Sequence, residues 1–259
     1  MMNKLFLIII LLYSSISISQ ESEQKIKEES NILLSINHVF QIPAGNLADR
    51  FGNNSDISIS MIYKNQRDLV ITLEGGFIFG PEVKEDNLFE SINGDNGVLI
   101  SQNGEIPIIR LFERGGHVDI SCGKYFKLPS DFFGFNLSEK SESGILFSIG
   151  LGYLYHKIFI ETIVTELPQL NEELLKGYDR LCGGLLIKQF VGYLYFSKKN
   201  NIRFLLGIEA MQGFTRDLRE YNYTTQTYIN QKRVDHLIGF KSGFIVPIKK
   251  RNTGKYYYY

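Results

Sequence analysis

The sequence predicts an all-β fold in which eight antiparallel strands close into an up-and-down barrel that spans a membrane. Bulky apolar side chains alternate with small or polar ones along most of the chain, and this period of two is typical of β-strands. The alternating segments number eight, an even number, and long and short connections follow one another between them. The chain also begins with a segment that has the features of an export signal.

The clearest strand covers 144–162, with the sequence GILFSIGLGYLYHKIFIET. One face is bulky and apolar, whereas the other is mostly glycine, serine and histidine. A water-soluble sheet turns its apolar face inward and charge outward. The small, uncharged second face favours the interior of a narrow barrel whose outside meets lipid. We expect the lipid-facing side chains of this strand to be Ile145, Phe147, Ile149 and Leu151.

Aromatic residues near strand ends predict a second feature of membrane barrels, the aromatic girdle at each interface. We expect the interfacial aromatic side chains to be Tyr153, Tyr155, Tyr193 and Tyr195. The alternative is the ordinary preference of tyrosine for β-strands.

The same alternation predicts strands over 32–41, 57–64, 68–79, 114–128, 144–162, 180–197, 202–214 and 236–248. Connections are long after the odd-numbered strands and mostly short after the even-numbered ones. This rhythm predicts long external loops and short periplasmic turns. We expect a short helical turn at 171–176 within one long loop. A secreted β-sandwich or lipocalin-like barrel is the alternative, but it leaves charged inward positions unexplained, because an unpaired buried charge costs several kcal/mol.

The N-terminus predicts export. A short basic start, an apolar run over 5–13 and small residues before Gln20 indicate a signal peptide over 1–19, cleaved after Ser19. We expect a flexible segment over 20–31, the barrel over 32–248 and a tail over 249–259 that ends in tyrosines. The mature chain has no apolar run of the roughly 20 residues that a membrane helix needs, so only a barrel could cross.

Charge and cysteine content exclude other classes. Lys plus Arg equals Asp plus Glu, 28 of each, so no basic field attracts nucleic acid. Cys122 is predicted to face outward and Cys182 inward, on strands that are not neighbours. A disulfide requires Cα atoms within about 7 Å. We therefore expect two free, buried thiols.

The inward faces carry charges of both signs. An eight-stranded barrel has an interior just wide enough to be filled by side chains. We therefore expect these groups to pair and plug the lumen, with a proton or ion path as the alternative. The predicted lumen charge network is Glu74, Asp119, Lys188, Glu209 and Lys241, with His117 and His156.

His117, Asp119 and Ser121 alternate on one strand face, in an order reminiscent of a hydrolase triad. Neighbours on such a face are about 6.6 Å apart, whereas a proton relay needs roughly 2.6–3.2 Å. We therefore expect no triad, no catalytic residue and no enzymatic activity.

An acidic loop offers the only other candidate site. It contains Glu82, Glu85, Asp86, Glu90 and Asp95. These positions lack the fixed spacing of a dedicated calcium loop. We expect a solvated acidic loop, with no metal and no cofactor.

The chain resembles the small OmpA-like and PorT-like outer-membrane β-barrels. The resemblance rests on the export signal, the strand and loop rhythm, and aromatic-flanked strands such as GYLYHKI and GYLYF. The tyrosines at 256–259 match the C-terminal aromatic residue of the family, although KKRNTGK separates them from the last predicted strand. The stretches PAGNLADRFG, ERGG and KGYDRL resemble loop-base motifs of an uncharacterised branch.

This resemblance implies a location in the outer membrane of a Gram-negative bacterium. It implies contact with outer-membrane lipid and with the barrel-assembly machinery through the C-terminal region, and an envelope protein as a further partner. The expected function is a non-enzymatic scaffold or accessory subunit of a secretion or assembly complex. A small-solute or ion channel is the alternative, followed by a lumenal or rim hydrolase or acyltransferase.

Overall fold

A computed structural model describes residues 31–85, 87–93, 99–101, 103–128, 143–163, 167, 170–196 and 203–247. The predicted signal peptide over 1–19, the segment 20–30 and the tail 249–259 lie outside the described residues. Eight long strands form a closed barrel. They are β1 (Asn31–Gly45), β2 (Asn54–Lys64), β3 (Leu69–Gly80), β4 (Ile108–Lys127), β5 (Gly144–Ile163), β6 (Cys182–Phe196), β7 (Arg203–Asp217) and β10 (Lys232–Pro247).

Short elements occupy the connections. A 3-10 turn (Glu90–Ile92) follows β3, helix α1 (Glu172–Leu175) follows β5, and a small hairpin of β8 (Tyr221–Asn222) and β9 (Thr227–Tyr228) follows β7. The predicted helical turn is confirmed as α1, where the Asn171 side chain accepts hydrogen bonds from two backbone N–H groups. Among the described residues, no helix is both long and apolar enough to cross a membrane.

The predicted fold class is confirmed. Each long strand pairs antiparallel with its neighbours, and β1 pairs with β10 to close the ring in the order β1-β10-β7-β6-β5-β4-β3-β2. The strand ends that flank the connections 46–53, 81–107, 164–181 and 218–231 lie at one end of the barrel, called the loop end. The strand ends that flank 65–68, 128–143 and 197–202 lie at the other end, called the turn end.

The register fixes the tilt of the strands. Following paired residues from Leu34 on β1 around the barrel leads back to Ala44, ten residues further along the same strand. A shear of ten over eight strands, with about 3.3 Å per residue and about 4.8 Å between strands, gives a tilt of about 40°. The barrel is therefore narrow enough for its own side chains to fill it.

Several strands extend further toward the loop end than their alternation predicts. β1 continues to Gly45, β2 begins at Asn54 and β10 begins at Lys232. The largest extension is in β4, which begins at Ile108 because this residue pairs with Ile163 on β5. The hydrogen bonds that extend a strand are made with its partner strand. The alternation of residues within one strand therefore does not predict where that strand ends. The β4–β5 ribbon projects past the rim, since β3 pairs with β4 only from Glu113 onward.

The wall is inverted relative to a soluble barrel. Outward positions of the strands are apolar and exposed, whereas inward positions are buried and frequently polar or charged. On β5, Phe147, Ile149 and Leu151 are exposed and Ile145 is half-buried, all on the outer face. This is the distribution of a membrane-spanning barrel.

The cysteines are unpaired, as predicted, but their burial differs from the prediction. Cys182 is buried at the loop end of the inner face, whereas Cys122 is exposed on the outer face of β4. Residues on the outer face have no second protein layer to cover them, so only the inner thiol is buried.

The outer wall predicts a depth-dependent response to charge. Ile149→Arg is expected to lower the free energy of unfolding by about 2–4 kcal/mol, because a guanidinium near the bilayer midplane is poorly solvated. The matched control is Ile108→Arg on the projecting ribbon, since the two isoleucines are 60% and 57% exposed. The control should cost only about 0–1 kcal/mol. Urea unfolding in lipid vesicles measures both, and equal losses would contradict the membrane assignment.

Candidate functional site

Seven charged or titratable side chains meet at mid-height in the lumen. They come from six strands, and each residue is at most 4% exposed. We call them the ionic layer: Asp56, Glu74, His117, Asp119, Lys188, Glu209 and Lys241. Their convergence follows from strand parity, because each lies at an inward position of its strand.

Lys241 is the centre of the layer. Its ammonium nitrogen lies 2.5 and 2.7 Å from the two carboxylate oxygens of Glu74 and 2.8 Å from Glu209 Oε2. One cation on β10 therefore links carboxylates on β3 and β7, across the width of the barrel.

Lys188 on β6 completes the crosslink. Its ammonium donates to Asp119 Oδ2 at 2.6 Å and lies 3.2 Å from Glu74 Oε1. Glu209 Oε2 is more distant, at 3.9 Å. Buried charges require partners, and the two lysines supply them to three carboxylates.

His117 lies between two carboxylates. Its Nδ1 is 3.0 Å from Asp119 Oδ2 and its Nε2 is 2.8 Å from Asp56 Oδ2. A ring that carries a proton on both nitrogens would donate to both carboxylates, whereas a neutral ring would direct a lone pair at one of them.

The contact between His117 and Asp119 corrects the distance reasoning from sequence. Backbone spacing along a strand face suggested that they could not reach each other, but the side chains lean together. The triad is nevertheless incomplete, because Nε2 contacts Asp56 instead of the hydroxyl of Ser121, which lines a nearby cavity.

His156 belongs to a different level. Its Nε2 lies 2.9 Å from Asp235 Oδ2, and the same oxygen accepts a hydrogen bond from the Thr215 hydroxyl at 2.5 Å. The His156 ring packs edge-on against Phe51 from the first loop. The predicted grouping of His156 with the other charges is therefore wrong in detail.

Apolar layers lie above and below the ionic layer. The lower one, at the turn end, is a buried cluster that we call the apolar floor: Leu33, Ile62, Val70, Tyr125, Leu146, Phe190, Leu194, Leu205 and Ile245. The upper one separates the ionic layer from His156 and consists of Ile78, Leu154, Leu186, Met211 and Leu237. Ile78, Leu186, Met211 and Leu237 each lie on the loop side of the ionic position of their own strand, whereas β5, which carries Leu154, contributes no residue to the ionic layer.

A cavity of about 20 Å³ lies between Glu74, Glu209, Ser121 and the apolar floor. That is room for about one water molecule. At this level the described side chains of the ionic layer, each at most 4% exposed, occupy much of the lumen.

Two members of these networks, Asp56 and Asp235, were missed from the sequence. Both stand one residue outside the predicted strands, which begin at 57 and 236, and both were assigned to loops. Parity could have found them, because Asp56 lies two residues before Ser58 and Asp235 two residues before Leu237.

The long loops form a cap over the loop end. Arg50 from the first loop donates to Glu85 at 3.0 Å, to the Cys182 thiol at 3.2 Å and to the carbonyl of Arg180 at 3.1 Å. Arg180 donates to the other oxygen of Glu85 at 3.0 Å. Glu85 thus joins three loops, which corrects the expectation of a wholly solvated acidic loop. Asp86 and Asp95 of that loop lie outside the described residues.

The fourth loop joins the cap through Arg219. Its guanidinium donates two hydrogen bonds to Asp179, at 3.0 and 2.7 Å, and these raise the pKa of Arg219. Thr224 donates to the carbonyl of Leu88 at 2.6 Å. Beneath these links the cap is apolar, with Leu47, Phe51, Leu88 and Tyr178 buried.

One group in the described part of the chain has the composition of a metal site. Possible ligand atoms of Glu74, His117 and Asp119 lie within 4.8 Å of one another. The ammonium groups of Lys188 and Lys241 already contact both carboxylates. A divalent cation would have to lie beside two positive charges, so the geometry favours the ion pairs over a metal.

Removal of the central cation tests the ionic layer. Lys241→Met is expected to lower the free energy of unfolding by about 3–5 kcal/mol, because Glu74 and Glu209 lose their closest partner while buried. Lys232→Met, at an exposed position of the same strand, should change it by less than about 0.5 kcal/mol. Adding Glu74→Gln to Lys241→Met should recover part of the loss, and a further loss would contradict the pairing. Urea titration measures all three variants.

Adjacent glycines on β3 offer a second test. A Cβ on Gly76 would collide with the His117 ring and Asp56, whereas one on outward-facing Gly75 meets nothing closer than 3.8 Å. Gly76→Ala should therefore cost about 1–3 kcal/mol by overpacking, and Gly75→Ala should be near neutral. NMR of the His117 ring should change only in Gly76→Ala. Equal effects of the two substitutions would contradict the assigned faces.

The comparisons with known proteins concern the fold. No family model matches the sequence, and no curated protein matches it. The structure is similar to Neisserial surface protein A, with 10% identity over 85% of this chain and 99% of that chain, at a TM-score of 0.42.

Two other solved structures are similar. The N-terminal β-barrel domain of Pseudomonas aeruginosa OprF has 10% identity over 84% of this chain and 100% of that chain, at a TM-score of 0.38. A major outer membrane protein from Thermus thermophilus has 9% identity over 83% of this chain and 99% of that chain, at a TM-score of 0.38. At these identities and TM-scores, the likeness says nothing about function.

Proposed function

We propose that this protein is an integral outer-membrane β-barrel with a plugged lumen, which acts as a non-enzymatic scaffold or accessory subunit of an envelope secretion or assembly complex. The observation that carries the proposal is the ionic layer held between two apolar layers. This arrangement supports a lumen without a solute path, so we assign the function to the surfaces.

The outer wall supports the location. Most outward positions of the eight strands are apolar, as expected for contact with outer-membrane lipid. Outward tyrosines lie near both ends: Tyr153 and Tyr155 toward the loop end, Tyr193 and Tyr195 toward the turn end. The proposed contact with the barrel-assembly machinery involves the C-terminal tyrosines, which lie outside the described residues.

The sealed lumen supports a scaffold over a channel. Opening a path would require separation of Lys241 from both Glu74 and Glu209, and displacement of the apolar floor as well. Each separated charge would stay in a narrow interior of low polarity, at a cost of several kcal/mol.

The site chemistry supports a non-enzymatic role. Both nitrogens of His117 are engaged by carboxylates, and the cavity beside it has room for about one water molecule. A general base needs an accessible nucleophile within hydrogen-bond reach, and Asp56 occupies that position.

The cap supports partner binding. Salt bridges and a buried apolar cluster make the loops a fixed surface. On that surface Ile106 is 72% exposed and Tyr228 is 83% exposed. Exposed apolar and aromatic side chains on a rigid support are typical of protein-binding sites.

The plugged lumen is tested by conductance. Purified protein in a planar bilayer should give no sizeable single-channel steps, because the ionic layer occupies much of the lumen. A porin reconstituted in the same way provides the positive control. Reproducible large steps from the wild-type protein would contradict the plugged state and favour a channel.

Partner binding through the cap is tested by copurification from native membranes in mild detergent. We expect at least one envelope protein to copurify with the wild-type chain, and to be lost with the double variant Ile106→Ser, Tyr228→Ser. The matched control is Arg67→Ser at the turn end, which should retain the partner. A protein that always purifies alone would refute the accessory role.

A further inference from the structure

The outer wall has two unlike sides. On β2, β3, β4 and β5, the outward positions of 57–63, 69–77, 118–122 and 145–153 are apolar or aromatic apart from Gly75 and Cys122. The other four strands carry polar side chains on the outer face: His38, Gln189, Gln212, His236 and Ser242. A polar group facing lipid is costly unless something pairs with it.

Two of these residues are register partners in the middle of the wall. His38 on β1 lies opposite Ser242 on β10, across the seam that closes the barrel. Exposed apolar residues flank them along both strands: Ile36 and Phe40 beside His38, Phe240 and Phe244 beside Ser242. The pair therefore lies well away from either membrane interface.

The polar groups of this pair are not used within the chain. The Ser242 hydroxyl makes one long contact, 3.4 Å from the backbone carbonyl of His38. The exposed His38 ring makes no hydrogen bond or ion pair within the described part of the chain. Imidazole and hydroxyl can each donate and accept.

We propose that the β1–β10 seam is a self-association surface, at which two copies of this chain form a dimer in the membrane. A two-fold axis along the membrane normal at the seam would place β1 of each copy against β10 of the other. Each His38 imidazole then faces the Ser242 hydroxyl of the other copy, and the two differ in depth by about 3 Å at a strand tilt of about 40°. The apolar residues around the pair exclude lipid from the two hydrogen bonds.

A second copy fits this surface because the surface complements itself. It presents one hydrogen-bonding group on each side of the axis, with matching apolar borders. The two-fold rotation places the β1 side of one copy against the β10 side of the other. The proposal adds a partner surface to the membrane barrel and does not depend on the cap or its partner.

Crosslinking in native membranes tests the seam. In a Cys122→Ser background, Ser242→Cys puts a thiol close to the axis, so a short bismaleimide should yield a covalent product of twice the chain mass. The wild-type chain is the matched control: its Cys122 is exposed on β4, on the far side of the barrel, and Cys182 is buried. It should yield no dimer.

Loss of the hydrogen bonds gives a second measurement. His38→Leu removes both bonds of the dimer and should weaken association about sevenfold, the equivalent of two average hydrogen bonds within a membrane. Ile120→Leu on β4 should leave association unchanged. Energy transfer between labelled copies in vesicles measures both variants.

Three outcomes would overturn the proposal. One is the absence of a dimer from Ser242→Cys, and another is an equal yield from wild-type Cys122, which indicates random collision. The third is a Ser242→Cys product of a different mass, which indicates another protein at the seam. A seam-specific dimer that His38→Leu weakens establishes the proposal.

Discussion

Hydrogen bonding between β1 and β10 closes the sheet, and closure with a shear of ten residues sets a lumen too narrow to hold bulk water. Every inward side chain must then find its partner among other inward side chains. Lys241 and Lys188 pair with Glu74, Asp119 and Glu209, and His117 pairs with Asp56. Within the described part of the chain, Asp56, Asp119 and Glu209 each keep one buried oxygen without a hydrogen-bond partner. The ionic layer is a consequence of closure, and its contacts in turn hold opposite walls together.

The vertical order of the lumen follows from the same constraint. Apolar side chains at the turn end pack into a floor, and a second apolar layer separates the ionic layer from the pair formed by His156 and Asp235. Water is kept from the charges on both sides, which strengthens their attraction and makes an unpaired member expensive. In the proposed scaffold role, the groups of this barrel that a partner can reach lie on its cap and its outer wall.

Each of those two surfaces has its own proposed interaction: the cap with an envelope protein, and the outer wall with a second copy of the chain. The cap is tied by Arg50, Glu85 and Arg180 into one unit and faces away from the membrane. The outer wall faces lipid, and its seam carries the polar pair of His38 and Ser242. A partner outside the membrane and a second copy within it could bind together without competing, because the surfaces do not overlap.

Strand parity and the rhythm of the connections were enough to predict the barrel, its strand number and the faces of β5. Inward Glu74, Lys188, Glu209 and Lys241 were also accessible from sequence, since a period of two assigns each residue to a face whatever its neighbours are. Side chains alternate between the two faces of a strand because of its own backbone geometry. Their faces can therefore be predicted without knowing which strands pair.

Tertiary structure alone decided which charges meet. The reach of His117 to both Asp56 and Asp119 depends on the register between β2, β3 and β4, and on side chains that lean along and across strands. The separation of His156 depends on the shear, which sets the depth of each strand against the next. The long β4–β5 ribbon and the links within the cap likewise arise between segments distant in sequence. No local sequence pattern encodes the distances between side chains of different strands and loops, because closure of the barrel sets them.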